Sequence, residues 1–334
     1  MDSVADLVDA DSIRDAARTL AGVAVRTPLL PAPWLSERVG AEVRLKCENL
    51  QRAGAFKIRG AYTALARMSD EARARGVIAY SSGNHAQGVA LAARLFGVRA
   101  VVVMPTTAPA VKVEGAGGLG AEVILEGTTS VERHRRAEAE AVARGLTIVP
   151  AFDDPDIIAG QGTVGVEIGE QWPEVEAVLV PVGGGGLVSG IAAWLRAEIP
   201  SVRIIGVEPE HAAAMSDSVA AGHPVTIVSR PTIADGLMPV RPGDLNFEHV
   251  RALVDDVVVV SDDAIADAAG LLLSKSKLVV EFSGAATVAA LLSGAFAPAG
   301  LRTAAVLSGG NMDFARSLPL LGLTAAPPMA EARS

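Results

Sequence analysis

Lys57 stands in Gly54-Ala55-Phe56-Lys57-Ile58-Arg59-Gly60, between apolar Phe56 and Ile58 and at the expected start of a helix. Desolvation there disfavours the ammonium ion, and a neutral amine is both a nucleophile and a base. Taken alone, such a residue is more often an ordinary surface lysine, so it gains weight only from its company. Gly183, Gly184, Gly185 and Gly186 follow an apolar run at 178–182 and lead into a helical run that begins with Leu187. A backbone free of side chains can wrap an anion, aim its N–H groups at it and add the positive end of a helix dipole. The loop lacks the Lys-Ser/Thr ending of a nucleotide P-loop, so the expected guest is the phosphate of a small cofactor. Ser81, Ser82, Gly83, Asn84 and His85 place hydroxyls, an amide and backbone N–H groups before another helix. That donor set suits a carboxylate, although Ser and Asn at such a place also serve as plain helix caps. Ser308-Gly309-Gly310-Asn311 ends an expected strand at its carboxyl end, the edge at which open α/β sheets bind ligands.

The elements that must position these residues alternate in type. Short β-branched runs are expected to be strands at 77–80, 99–104, 122–125, 147–149, 177–181, 203–207, 257–260 and 303–307. Ala-rich runs predict helices at 58–68, 84–96, 130–144, 156–170, 187–198, 262–274 and 284–293. The alternation argues for an α/β fold around largely parallel sheets. Residues 229–246, rich in Pro and Gly and containing Thr232-Ile233-Ala234-Asp235-Gly236, read as a long loop of the functional kind. The tail from Thr324 reads as disordered. Residues 115–120 formally match the GxGxxG dinucleotide fingerprint but precede a strand instead of following one, and so predict a loose helix end.

Composition removes several function classes. The 334 residues are 50% hydrophobic and 20% charged, which describes a folded chain of enzyme size. A lone Cys47 and five histidines, with no CxxC or HExxH, predict no metal site and a reducing compartment. A net charge of −9 argues against nucleic acid as a partner. The amino terminus lacks the basic and apolar regions of a signal peptide, so a cytoplasmic location is expected. Residues 282–301 carry no charge but are interrupted by Gly, Ser and Pro, and predict a buried helix, not a membrane span.

The ordered set of AFKIRGA, SSGNH, IAGQGT at 158–163, the tetraglycine loop, TIADG and SGGN resembles the fold type II pyridoxal-phosphate enzymes. Within them it is similar to the serine/threonine dehydratase and serine racemase branch, from about Arg26 to Asn311. The resemblance implies two open α/β domains of the tryptophan synthase beta-like architecture, with pyridoxal 5'-phosphate in the cleft between them. Residues 1–70 and 153–323 would form the large domain and 71–152 the small one. Lys57 would hold the cofactor as a Schiff base, Phe56 would pack beside its ring and Asn84 would reach its 3-hydroxyl. Gly183, Gly184, Gly185, Gly186 and Leu187 would bind its phosphate, Ser308 would face its pyridine nitrogen and Gly236 would lie near the ring. Ser81, Ser82, Gly83, Asn84 and His85 would bind the substrate carboxylate. Lys57 and Ser82 would be the catalytic acid/base groups on opposite faces.

The implied reaction is α,β-elimination from a β-hydroxy amino acid, L-threonine or L-serine, to a 2-oxo acid and ammonia. Serine racemase and threo-3-hydroxyaspartate ammonia-lyase are the alternatives on the same scaffold, and a non-catalytic cofactor-binding protein is a more distant one. Phe152 stands where the racemases carry Asn and favours elimination. Arg133 falls near an arginine that faces the distal end of the substrate in some relatives. Ala55 and Phe282 depart from the Ser and Pro usual at their positions. Ala214 replaces the Asp of the divalent-cation site of metal-activated relatives, where Glu208 remains. No C-terminal regulatory domain is expected after SGGN, and the resemblance implies a homodimer or homotetramer.

Overall fold

The computed structural model describes residues 7–321 except Ser82, Pro109 and Ser229; the expected tail from Thr324 lies outside the described residues. The strands are β1 (Leu29–Pro31), β2 (Val43–Lys46), β3 (Val77–Tyr80), β4 (Ala100–Met104), β5 (Glu122–Leu125), β6 (Thr147–Ile148), β7 (Ala177–Pro181), β8 (Arg203–Pro209), β9 (Asp256–Val260) and β10 (Thr303–Val306). They build a six-stranded sheet ordered β1-β2-β10-β7-β8-β9 and a four-stranded sheet ordered β5-β4-β3-β6. Every pairing is parallel except β1 with β2. β4 and β7 are buried at every residue, as parallel strands covered on both faces must be.

Each sheet reverses direction once. β7, β8 and β9 step outward one way while β10 returns to the other side of β7; β3, β4 and β5 step one way while β6 lies beyond β3. Such reversals open a crevice at the carboxyl ends of the strands beside them. The tetraglycine loop follows β7 and Ser308 follows β10. Ser81 follows β3 and Ala151 follows β6. All four segments thus fall where the topology alone would place a ligand.

Three helices carry these segments against one another. The helix Pro155–Gln171 starts at Asp154, whose carboxylate accepts from the N–H groups of Asp156 and Ile157, with Pro155 at its first position. It packs on one side against Ile58–Arg67, which follows Lys57, and on the other against Gly186–Glu198, which follows the glycine loop. A Cβ on Gly160 would lie 2.6 Å from the Arg59 carbonyl oxygen and the Gly60 Cα, and one on Gly190 would collide with the carbonyl of Ile158. Residues 158–163 are therefore packing residues that draw the Lys57 helix and the glycine-loop helix to a common support.

Several expectations need correction. β1, β2 and the helices Ala10–Thr19 and Asp244–Leu253 went unforeseen; the first three occupy short or charge-interrupted runs. The expected loop at 229–246 contains a 3-10 turn, Asp235–Leu237, and its last residues already belong to Asp244–Leu253. The helix expected at 262–274 is regular only over Asp262–Leu271, then widens into a π turn, Leu272–Ser276, that ends on Lys277 with φ 61°. As expected, the GxGxxG match falls at the end of a helix, Ala110–Gly118, ahead of β5. The uncharged run from 282 is a buried helix only over Phe282–Ser293, and no helix among the described residues is long and apolar enough to cross a membrane.

Candidate functional site

Lys57 is the N-cap of its helix and its Nζ donates to the Ala151 carbonyl at 2.8 Å, 5.0 Å from the centroid of the Phe56 ring. Burial lowers its pKa from 10.5 to about 8. A sizeable neutral fraction therefore exists near neutrality, as a nucleophilic amine requires. In the cofactor-free protein, an amine-selective reagent is expected to label Lys57 with a midpoint near pH 8. Mass-spectrometric mapping across pH checks this, and a midpoint near the ordinary value would count against a desolvated amine.

The other segments close a ring around this amine. Ala55 bridges Gly309, the Phe56 N–H donates to the Ser308 carbonyl at 3.2 Å, and Gly310 N–H donates to Gly54. Ser308 is 4% exposed, and its hydroxyl makes no hydrogen bond among the described residues. Asn311 Nδ2 donates to Asn84 Oδ1 at 2.9 Å and to the Ala53 carbonyl at 2.8 Å, while Asn84 Nδ2 donates to Glu281. Beyond Ala151, Phe152 lies against the glycine loop, where a Cβ on Gly184 would collide with its ring. Gly236 closes the circuit: its N–H donates to Ser283 Oγ at 2.8 Å, and its carbonyl oxygen lies 3.3 Å from where Gly183 would carry a Cβ.

Gly185, with φ +103°, caps the helix Gly186–Glu198. Among the described residues no backbone carbonyl accepts from the N–H groups of Gly183, Gly184, Gly185, Gly186 or Leu187. Five free donors at the start of a long helix are the chemistry of a phosphate cradle, so the residues present fit a phosphorylated cofactor.

The segment at 81–85 is less uniform than expected. Gly83, not a Ser or Asn side chain, is the N-cap of Asn84–Phe96, and Ser81 Oγ accepts from Gly83 N–H at 3.2 Å. His85 is 2% exposed and its Nε2 bonds the Val149 carbonyl at 3.0 Å; burial, with the charge of Lys57 adding to it, pushes its pKa down to about 3. It is a neutral imidazole tied to the end of β6. Ser82 lies outside the described residues.

Two charged residues, Lys112 and Glu281, were given no role from the sequence. Lys112 is 4% exposed, pairs with Asp235 and stands 3.9 Å from Glu281; a Cβ on Gly83 would lie 2.9 Å from its Cδ. Burial raises the Glu281 carboxyl to about 7, against the pull of Lys112. Lys112 thus lies over the donor loop while its partners belong to the 232–237 segment and the N-cap of the helix Phe282–Ser293. A Lys between Val111 and Val113, in a helix whose other charged residue is Glu114, was the available signal. Glu208 accepts from the N–H groups of Met215 and Ser216 at 2.8 Å each, at the start of Ala214–Ala221; burial, opposed by those bonds, raises it to about 8.

Comparison with known proteins agrees with this geometry. Residues 20–309 match the family described as pyridoxal-phosphate dependent enzyme. The L-threonine ammonia-lyase of Thermotoga maritima is 47% identical over 307 residues, which span 92% of this chain and 76% of that protein. The catabolic L-threonine dehydratase TdcB of Escherichia coli is 41% identical, with 93% of this chain and 95% of that protein covered. The structure of maize serine racemase superposes with a TM-score of 0.90 at 40% identity, covering 93% of this chain and 96% of that one. With a lysine amine, a phosphate cradle and a free hydroxyl joined in one ring, and relatives of this identity along nearly the whole length, the chain belongs to the fold type II pyridoxal-phosphate dependent enzymes.

Proposed function

We propose that the protein is an L-threonine ammonia-lyase, eliminating the β-hydroxyl of L-threonine, and of L-serine as a secondary substrate, to give a 2-oxo acid and ammonia. The observation that carries this is the Lys57 amine, with its pKa near 8, set in one ring with an unfilled donor cradle and the Ser308 hydroxyl. The N–H groups of Gly183, Gly184, Gly185, Gly186 and Leu187 would hold the phosphate, Phe56 would pack against the ring, Asn84 would meet the 3-hydroxyl and Gly236 would lie beside it. The bound cofactor supplies an electron sink for the pair released at the substrate Cα. Ser308 would face the pyridine nitrogen with a neutral hydroxyl, which would not hold a proton there as a carboxylate would, and this would favour elimination over long storage of charge. Ser81, Ser82, Gly83, Asn84 and the backbone at His85 would hold the substrate carboxylate. Lys57, as a free amine, would take the Cα proton as general base. Phe152, in place of Asn, supports elimination over racemisation, with Ser82 the group whose protonating role would decide the balance.

We also read residues 1–70 with 153–323 as one domain and 71–152 as the other, supported by the two separate sheets. A cytoplasmic homodimer or homotetramer fits the family and a buried, reduced Cys47. A second reading has its own support: Arg133 Nε is buried and without a partner among the described residues, which suits a β-carboxylate such as that of threo-3-hydroxyaspartate. Purified protein with pyridoxal phosphate should release 2-oxo acid from L-threonine faster than from L-serine or threo-3-hydroxyaspartate, each also tested for D-amino acid. Preference for hydroxyaspartate would move the assignment to the second reading, and racemisation without 2-oxo acid would overturn both.

A further inference from the structure

Four charged side chains are buried where the end of β2 meets the helices Ile58–Arg67 and Pro155–Gln171: Lys46, Glu48, Arg59 and Glu167. Arg59 is 1% exposed and Glu48 fully buried. The guanidinium of Arg59 holds Glu48 by a two-point fork, Nε to Oε2 and Nη2 to Oε1, both at 2.8 Å. Its Nη1 meets Glu167 Oε1 at 2.8 Å and Thr163 Oγ1 at 3.1 Å, and its Nη2 reaches the Val25 carbonyl at 3.2 Å. Glu48 also accepts from Thr27 Oγ1, and Lys46 pairs with Glu167 while donating to the Thr27 carbonyl and Gln171. Two cations and two anions balance. Burial opposes the charge on Glu48 and Arg59, yet each holds the other ionised.

Such a network is a poor device for stability, because well-packed apolar residues of similar volume commonly do as well or better than buried ions. Its contacts are directional instead, and they converge on one place. Arg59 is the second residue of the helix Ile58–Arg67, two positions after Lys57. Glu48 follows β2, where the Asn49 N–H donates to the Leu307 carbonyl, next to Ser308. Thr163 and Glu167 belong to Pro155–Gln171, the helix that also supports the glycine loop. The fork therefore fixes the first turn of the Lys57 helix against the strand ends that carry the rest of the site.

We propose that the buried Arg59–Glu48 pair is a positioning device for Lys57, orienting its amine toward the cofactor and substrate. This rests on the proposed role of Lys57. A 1 Å misplacement of a reacting group can cost about 10²-fold in rate.

The test uses the full chain reconstituted with pyridoxal phosphate. The double variant Arg59→Met with Glu48→Leu removes one charge of each sign and leaves Lys46 paired with Glu167. It is expected to unfold within a few degrees of wild type, as small changes in stability allow. It should nonetheless form the visible lysine-bound cofactor band, trapped on Lys57 by borohydride, about tenfold more slowly and lose about 10- to 100-fold in kcat, with KM changed far less. Arg59→Lys, which keeps the charge but not the fork, should fall between the two. Wild-type band formation and kcat in either folded variant would overturn the proposal, as would a kcat loss fully accounted for by the unfolded fraction. If the double variant does not fold, Arg59→Lys decides by the same criteria. Absence of the band in wild type would overturn the reading of Lys57 itself, which separates the two failures.

Discussion

Lys57→Ala is expected to fold, to bind pyridoxal phosphate without the visible band of a lysine-bound cofactor, and to make essentially no 2-oxo acid. Proton transfer by one positioned side chain contributes about 10²- to 10⁴-fold, and Lys57 would also anchor the cofactor, so the loss in kcat should reach or exceed the upper end of that range. The fold should survive because, among the described residues, the Lys57 amine makes one hydrogen bond, to a main-chain carbonyl, and no ion pair. The variant removes the buried amine together with its desolvation cost, so the thermal midpoint should hold or rise slightly. Lys57→Arg should be equally inactive, because a guanidinium keeps its proton at any working pH and cannot act as a base. Absorbance spectra, borohydride trapping and a 2-oxo acid assay on the two variants check this. A Lys57→Ala enzyme retaining a tenth of wild-type kcat would end the assignment of Lys57 as base.

The sequence made much of the ring of candidate residues legible because the tetraglycine run, SSGNH and SGGN sit at strand ends where chain order and chemistry coincide, whereas Lys57 precedes a helix and Gly236 lies in a 3-10 turn. Gly183 to Gly186 stand out as an unbroken run, and SSGNH and SGGN each follow a β-branched strand. β1 and β2 were not legible: β1 is three residues ending on Pro31, and β2 alternates Val and Leu with Arg44 and a lysine that is in fact buried. Lys46, Glu48, Arg59 and Glu167 could not be recognised as interior residues, because burial of a charge depends on partners up to 121 positions away, as Glu167 is from Lys46. Lys112 and Glu281 escaped for the same reason, since their meeting joins segments that only the tertiary fold brings together. His85 shows the opposite limit. Its neighbours in sequence suggested a role in ligand binding; its Nε2 is held by the carbonyl of Val149, while its buried Nδ1 has no partner among the described residues. A motif locates a segment well, but which of its side chains turn toward the ligand is set by the packing behind it.

Phe152 and the glycine loop lead to the second large effect. The Phe152 ring occupies the space where a Cβ on Gly184 would stand, and the Phe152 main chain lies 3.1 Å from the corresponding point on Gly186. Gly184→Ala must therefore displace either the ring or the loop. The loop yields more easily in the absence of cofactor, so the strain should appear when the phosphate draws the N–H groups of Gly183 to Leu187 back together. Overpacking of this kind costs about 1–3 kcal/mol. At about 1.4 kcal/mol per tenfold, that is a roughly 5- to 150-fold weaker hold on pyridoxal phosphate. Removing the ring removes the collision, so Gly184→Ala combined with Phe152→Ala should bind the cofactor about as well as Phe152→Ala alone, a coupling that independent sites would not show. Cofactor titrations on the four proteins measure it. Additive losses would mean that the ring and the loop do not share this space, and that the glycine run serves the turn at Gly185 and not the close approach of Phe152.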